Sequence, residues 1–150
     1  MQTGGFKGRS REIDPRALRG AIAAALGVSE HRVVGEYGMT ELSSQLYGDG
    51  LVRGRLADDG IERLIAPPWV RVRAVDPESL RPVPPGAVGV LRIDDLANLD
   101  TCCSIQTADL GRLDGDRVIL FGRAPGATPD RKSTRLNSSH IQKSRMPSSA

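Results

Sequence analysis

Residues 69–93 read WVRVRAVDPESLRPVPPGAVGVLRI. From Trp69 to Val75 apolar residues alternate with arginine (Val70, Arg71, Val72, Arg73, Ala74), the period of a strand with one face in water. The segment 76–89, DPESLRPVPPGAVG, holds four prolines and two glycines. Such a stretch cannot be helix, and it predicts a long hairpin connection into a second strand, Val88 to Ile93. Further on, Leu113-Asp114-Gly115-Asp116 predicts a turn leading into Arg117 to Phe121, RVILF, a buried strand. The second half of the chain is therefore expected to be antiparallel β.

The first half has a different texture. Asp14-Pro15 followed by RALRGAIAAALG predicts a helix over 15–26, with Asp14 as N-cap, Pro15 at the first helical position and Gly27 closing the helix in the left-handed conformation. Leu18, Ile22, Ala25 and Leu26 fall at helical spacing and predict the face that needs cover. Arg32 to Glu36, RVVGE, predicts a short strand. Thr40, ahead of Glu41, Leu42, Ser43 and Gln45, predicts a short helix after a glycine-containing turn. The expected class is α/β: an α/β first part followed by antiparallel hairpins, with no internal repeat.

Charge separates the chain into two parts. The 150 residues carry 21 Lys+Arg and 18 Asp+Glu, net +3. Residues 130–150, DRKSTRLNSSHIQKSRMPSSA, hold five basic residues and one acid, so the remaining 129 carry 16 basic and 17 acidic groups, net −1. The body therefore gives no argument for a nucleic-acid or membrane partner. The serine-rich, aperiodic end reads as a disordered tail. DRKSTRLNSSH and SRMPSSA also resemble in-frame translations of consecutive parts of a short-read sequencing adapter, with Ile141 to Lys143 spanning an index. The body has one lysine, Lys7, against fifteen arginines, whereas the tail has two lysines. The expected organisation is one partial domain over 1–129 and a non-native tail over 130–150. Mean hydropathy of −0.28 and the lack of any apolar run near 20 residues predict no membrane span. The polar start and two adjacent cysteines, Cys102 and Cys103, give neither a secretory signal nor a disulfide framework, so a cytoplasmic setting is expected.

Three segments carry side chains suited to nucleotide chemistry: GEYGMTE (35–41), TADLG (107–111) and FGR (121–123). The aromatic ring of Tyr37 can stack on a base, and Gly38 admits close backbone approach. Thr40 can donate its hydroxyl to a phosphate, and Glu41 offers a hard carboxylate oxygen to Mg²⁺. Asp109 can accept from two adjacent hydroxyls, as a ribose presents, and Arg123 is a permanent cation with donors for ribose or phosphate oxygens. Taken singly, each also has a plain structural reading: a turn with a half-buried ring, a capped turn, a solvated strand end.

Together, in this order and at this spacing, the three segments resemble the motifs of the adenylate-forming superfamily, which activates carboxylic acids as acyl-AMP with ATP and Mg²⁺. TGGFKGR (3–9), EYGMTELSSQLY (36–47) and SIQTADLG (104–111) resemble more narrowly its acyl-protein synthetase (LuxE-type) branch. That resemblance implies a fragment of the large domain of an ATP-dependent long-chain-fatty-acid protein ligase. It further implies catalytic roles for Thr40 and Glu41, nucleotide contacts from Gly5, Tyr37, Gly38, Met39, Thr40, Asp109 and Arg123, and Mg²⁺ on Glu41. Gly4 and Phe6 would share the loop of Gly5 at the adenine or acyl pocket. The substrate implied is a fatty acid, passed from acyl-AMP to a protein cysteine for a reductase-type partner; a coenzyme A ligase and a non-catalytic nucleotide-binding module are the alternatives. Two departures stand out: Ala108 where many members have glycine, and Gly35 where a polar residue often meets adenine. The acceptor cysteine is expected beyond the arginine motif rather than at Cys102 or Cys103, and zinc is not expected, since His31 is the body's one histidine. The family's glycine-rich phosphate loop has no counterpart in the sequence, which implies that these 150 residues alone are inactive. Helix 15–26 and strand 32–36 are then expected to lack sheet neighbours.

Overall fold

Asp14 caps the first helix as its sequence predicts, its Oδ1 accepting from the amides of Arg16 (2.9 Å) and Ala17 (3.0 Å). Pro15 opens the first turn and Gly27 closes the helix at φ +64°. The computed structural model describes residues 2, 3 and 13–124; Gly4, Gly5, Phe6 and the tail 130–150 lie outside the described residues. In chain order it contains β1 (Gln2–Thr3), α1 (Pro15–Leu26), a 3₁₀ turn (Glu30–Arg32), β2 (Gly35–Tyr37), β3 (Leu46–Gly48), α2 (Gly50–Arg53) and β4 (Leu64–Ile65). Then follow β5 (Val70–Val75), β6 (Gly89–Asp95), β7 (Ser104–Asp114) and β8 (Arg117–Arg123).

The strands form one sheet in the order β1-β2-β3-β4-β8-β7-β6-β5. β1 runs parallel to β2, and every other neighbouring pair is antiparallel. The hairpin read from the sequence is present, and the turn read at 113–116 joins β8 to a strand, β7, that the sequence reading did not assign. β5 pairs β6 in unbroken register from Val70↔Asp95 to Val75↔Val90, and β7 pairs β8 across the turn at Gly115. The core is Leu42, Leu46, Leu64, Val70, Ala74, Leu91, Ile93 and Val118. Each large side chain there contributes about 1.5–3 kcal/mol by leaving water.

Four expectations are corrected. The buried positions of α1 are Arg19 and Ala23, while Ala25 and Leu26 are exposed and Leu18 and Ile22 only partly covered, so the helix is turned from its apolar stripe. Arg19 supplies the reason: its guanidinium reaches inward to Glu62 at 2.7 Å. The strand at 32–36 begins only at Gly35, because Val33 donates its amide to Glu30 O (3.0 Å) and closes the 3₁₀ turn. It does not lack neighbours, since β1 and β3 flank it. Thr40 to Gln45 is a turn rather than a helix: Leu42 N–H bonds Met39 O (3.1 Å), while the amides of Ser43 and Ser44 go to the side chain of Asp95.

Candidate functional site

Tyr37 and Asp109, 72 residues apart, meet in the fold: the phenol donates to Asp109 Oδ2 at 2.7 Å. Arg123 Nε lies 3.5 Å from Asp109 Oδ1. The sheet makes this convergence. Asp109 on β7 stands directly opposite Arg123 on β8, but only because the register shifts between Leu110 and Gly111, where the partners are Gly122 and Leu120. Phe121 is thus the extra residue of a bulge, and Gly122 takes φ +100°, a conformation that glycine accepts without strain. The glycine of FGR is in this way what puts its arginine across from the aspartate. Thr107 braces Asp109 from below: its hydroxyl donates to Leu91 O (2.8 Å) and accepts from the Asp109 amide (3.0 Å). Ala108 contributes its carbonyl, which accepts from Ala124 N–H at 2.8 Å, and a glycine would do the same.

The ring of Tyr37 is half-buried and packs against the core, as does Met39. Burial first, then the hydrogen bond to Asp109 and its negative charge, push the Tyr37 phenol far above the ordinary tyrosine range, with Thr107 and Arg123 pulling it partly back. The raised pKa means that folding favours the protonated phenol. The stabilisation is fully present below pH 10, the ordinary tyrosine value, and is lost as pH climbs above it toward the folded value. The sequence has two tyrosines, so a Tyr47→Phe background isolates this one. There the phenolate absorbance should stay silent up to alkaline unfolding, and Asp109→Ala should bring its onset down. A Tyr37 ionising near pH 10 in the folded protein would contradict the bond to Asp109.

Gly38, Thr40 and Glu41 are exposed at the end of β2, on the turn that leads to β3. This turn is held from outside. Asp95, fully buried at the end of β6, accepts at Oδ2 from the amides of Ser43 (3.0 Å) and Ser44 (2.9 Å), and at Oδ1 from Ser44 Oγ (2.9 Å) and the Ala97 amide (3.0 Å). Asn98 Nδ2 donates to the main-chain carbonyl of Glu41 at 2.8 Å and to that of Cys102 at 3.0 Å. Trp69 Nε1 donates to Ser44 Oγ at 2.9 Å. Sequence reading missed Asp95 and Asn98, and it quoted Thr107 within its motif without giving it a role. The only signal for the first two was a short polar turn, DLAN, after an apolar strand.

Gly35 has a structural explanation. A Cβ on it would lie 2.2 Å from Glu62 Oε2, and one on Gly48 would lie 2.0 Å from Glu62 Oε1. Both glycines make room for that carboxylate, which also accepts the Gly35 N–H at 2.8 Å. Cys102 and Cys103 are exposed, and Cys102 Sγ donates to Ser104 O at 3.0 Å. Among the described residues no group of three His, Cys, Asp or Glu side chains could hold a metal unaided. A single exposed carboxylate such as Glu41 instead suits Mg²⁺ that arrives on a nucleotide, since that ion takes one or two carboxylates and completes its shell with phosphate oxygens and water.

The fold is that of the adenylate-forming enzymes. It superposes on the McyG A-PCP protein complexed with phenylalanyl-adenylate with a TM-score of 0.55 at 22% identity, over 77% of this chain and 24% of that one. Apo MatB from Rhodopseudomonas palustris matches with a TM-score of 0.54 at 20% identity, over 83% of this chain and 26% of that one. Within that class the chain belongs to the acyl-protein synthetase LuxE family, whose model matches residues 1–128. It is 41% identical over 54 residues to the long-chain-fatty-acid–luciferin-component ligase of Aliivibrio fischeri, and 39% identical over 54 residues to that of Vibrio harveyi. These stretches cover 36% and 34% of this chain and 14% of each relative, so the chain spans a small part of the curated proteins it matches.

Proposed function

We propose that residues 1–129 form the nucleotide-binding part of an ATP-dependent ligase that converts a fatty acid to acyl-AMP and passes the acyl group to a protein cysteine, for a reductase-type partner in the cytoplasm. The observation that carries this reading is the meeting of Tyr37, Asp109 and Arg123, drawn from three separate segments into one cluster. Asp109 accepts the ribose hydroxyls, with Arg123 beside it to bond ribose or phosphate oxygen. Tyr37 offers its ring to adenine beside Gly38, and Met39 adds its main chain while its side chain serves the core. Gly5 belongs to the same pocket by resemblance. Thr40 donates to the α-phosphate and Glu41 takes Mg²⁺. The metal, when bound, neutralises charge that develops as the carboxylate attacks phosphorus. Residues 130–150 are read as a tail foreign to the domain, a reading supported by the end of the family match at residue 128.

ATP–diphosphate exchange by the protein carrying its complete reading frame tests the proposal. Fatty-acid-dependent exchange is expected, and Glu41→Gln should lower its rate and raise its Mg²⁺ requirement while leaving AMP binding near wild type, because the substitution touches metal rather than ribose. Exchange with no change in protein mass would favour a coenzyme A ligase, and AMP binding with no exchange would leave only a nucleotide-binding module.

A further inference from the structure

The geometry points to Asp95 and Asn98 as positioning residues for the phosphate end of the site, acting through the main chain of the turn that carries Thr40 and Glu41. The inference rests on the proposed function for what that turn does, and on the structure for how the turn is held. A turn of this kind has no ladder to hold it. Between Tyr37 and Leu46 the chain leaves the β2–β3 register, and Leu42 N–H to Met39 O is a bond within the turn itself. Beside the bond from Trp69 Nε1 to Ser44 Oγ, the turn is tied to the sheet by Asp95 at the end of β6 and by Asn98 in the β6–β7 connection, more than fifty residues later. Asp95 takes two successive amides, Ser43 and Ser44, on one oxygen, and the Ser44 hydroxyl on the other. Asn98 then takes the carbonyl of Glu41.

The two residues are themselves fixed. Asp95 lies fully buried at the end of β6, its amide donating to Cys103 O at 2.7 Å. The Asn98 amide donates to Asp95 O (3.1 Å), and its side-chain Oδ1 accepts from Thr101 Oγ1 (2.6 Å) and Ser43 Oγ (3.2 Å). That acceptor pattern orients the carboxamide so that Nδ2 faces the Glu41 carbonyl. The chain leaving Glu41 is thereby gripped twice, by Asn98 at the Glu41 carbonyl and by Asp95 two and three residues on. A carboxylate that must meet a metal ion on a nucleotide gains from a fixed backbone, because an error of about 1 Å in placement is enough to cost rate. Neither residue needs to touch substrate to act this way.

Asn98→Asp keeps the size of the side chain and the oxygen that accepts from Thr101 and Ser43, but it cannot donate to Glu41 O or to Cys102 O. What separates positioning from mere loosening of the 95–103 turn is therefore the readout, a changed Mg²⁺ dependence with unchanged AMP binding. In the protein with its complete reading frame, Asn98→Asp and Asn98→Ala are both expected to raise the Mg²⁺ concentration for half-maximal exchange about fivefold or more, with AMP binding in the absence of metal unchanged within about twofold. Faster hydrogen exchange at the Leu42 to Ser44 amides should accompany the change. Asp95→Asn should act in the same direction. Should that variant not fold, the Asn98 pair decides alone. Normal Mg²⁺ dependence in Asn98→Asp, with a shifted dependence in Glu41→Gln, would overturn the positioning role while leaving the proposed function standing. A Glu41→Gln protein with wild-type Mg²⁺ dependence would overturn the reading of the turn, and this inference with it.

Discussion

Glu62→Ala is expected to destabilise the fold by about 3–5 kcal/mol, the cost of breaking a buried ion pair by removing one member. The Arg19 side chain is 4% exposed and that of Glu62 22%. Arg19 Nε already has no hydrogen-bond partner among the described residues, so loss of the carboxylate would strand a buried cation. The same carboxylate rests on a cross-strand pair of glycines. Since Glu36 faces Tyr47 in the β2–β3 register, Gly35 and Gly48 come opposite each other, and a Cβ on either would lie within 2.2 Å of Glu62. An alanine at Gly35 or Gly48 would have to expel the Glu62 head group, and so reproduces most of the same loss even though alanine is ordinarily no worse than glycine in a strand. Urea unfolding of a double-mutant cycle tests this. Gly35→Ala should cost about 2–4 kcal/mol alone but under about 1 kcal/mol beside Glu62→Ala, where the space is already vacant. Additive costs would mean that the glycine and the carboxylate do not compete for one place. Because Tyr37 is two residues beyond Gly35 on β2, the cycle also asks how far the candidate site depends on this pin.

What was legible in the sequence follows the range of the interactions. The β5–β6 hairpin announced itself because a period-two pattern, a proline-rich connection and a second strand are all local, and the caps of α1 are local too. The buried face of α1 was not legible. Arg19 looks like a solvated residue until Glu62, 43 residues away, takes it inward. Thr40 to Gln45 satisfies a helix pattern, but Asp95 captures the Ser43 and Ser44 amides from 52 and 51 residues away. The motif residues fared better, since a resemblance in order and spacing already encodes long-range proximity. Tyr37, Asp109 and Arg123 come together, whereas Asp95 and Asn98, which support the turn from behind, carried no pattern of their own; Thr107 stood in its motif with no role assigned to it.

Asp109→Ala should weaken nucleotide binding by about 1.5–3 kcal/mol, the range for hydrogen bonds to a charged group, which is roughly ten- to hundredfold in affinity. The structure gives reason to expect the upper part of that range. Asp109 does more than offer two oxygens to a ribose: it also accepts the Tyr37 phenol at 2.7 Å and sits 3.5 Å from Arg123. Alanine would leave a half-buried hydroxyl without its acceptor and take the Asp109 charge away from the Arg123 guanidinium, both at the place where the nucleotide has to settle. Asp109→Asn should lose less, since one oxygen remains to accept from either Tyr37 or a ribose hydroxyl. Ligands missing a hydroxyl make the assignment specific. If Asp109 reads the ribose, the wild-type protein should bind AMP more tightly than 2′-deoxy- and 3′-deoxy-AMP, and Asp109→Ala should bind all three alike, because the removed hydroxyl then has no carboxylate to lose. Calorimetric titration of the three ligands against both proteins, each with its complete reading frame, reads this directly. Undiminished preference for AMP in Asp109→Ala would move ribose recognition to another residue and leave the Tyr37–Asp109–Arg123 cluster a structural role at the junction of β2, β7 and β8.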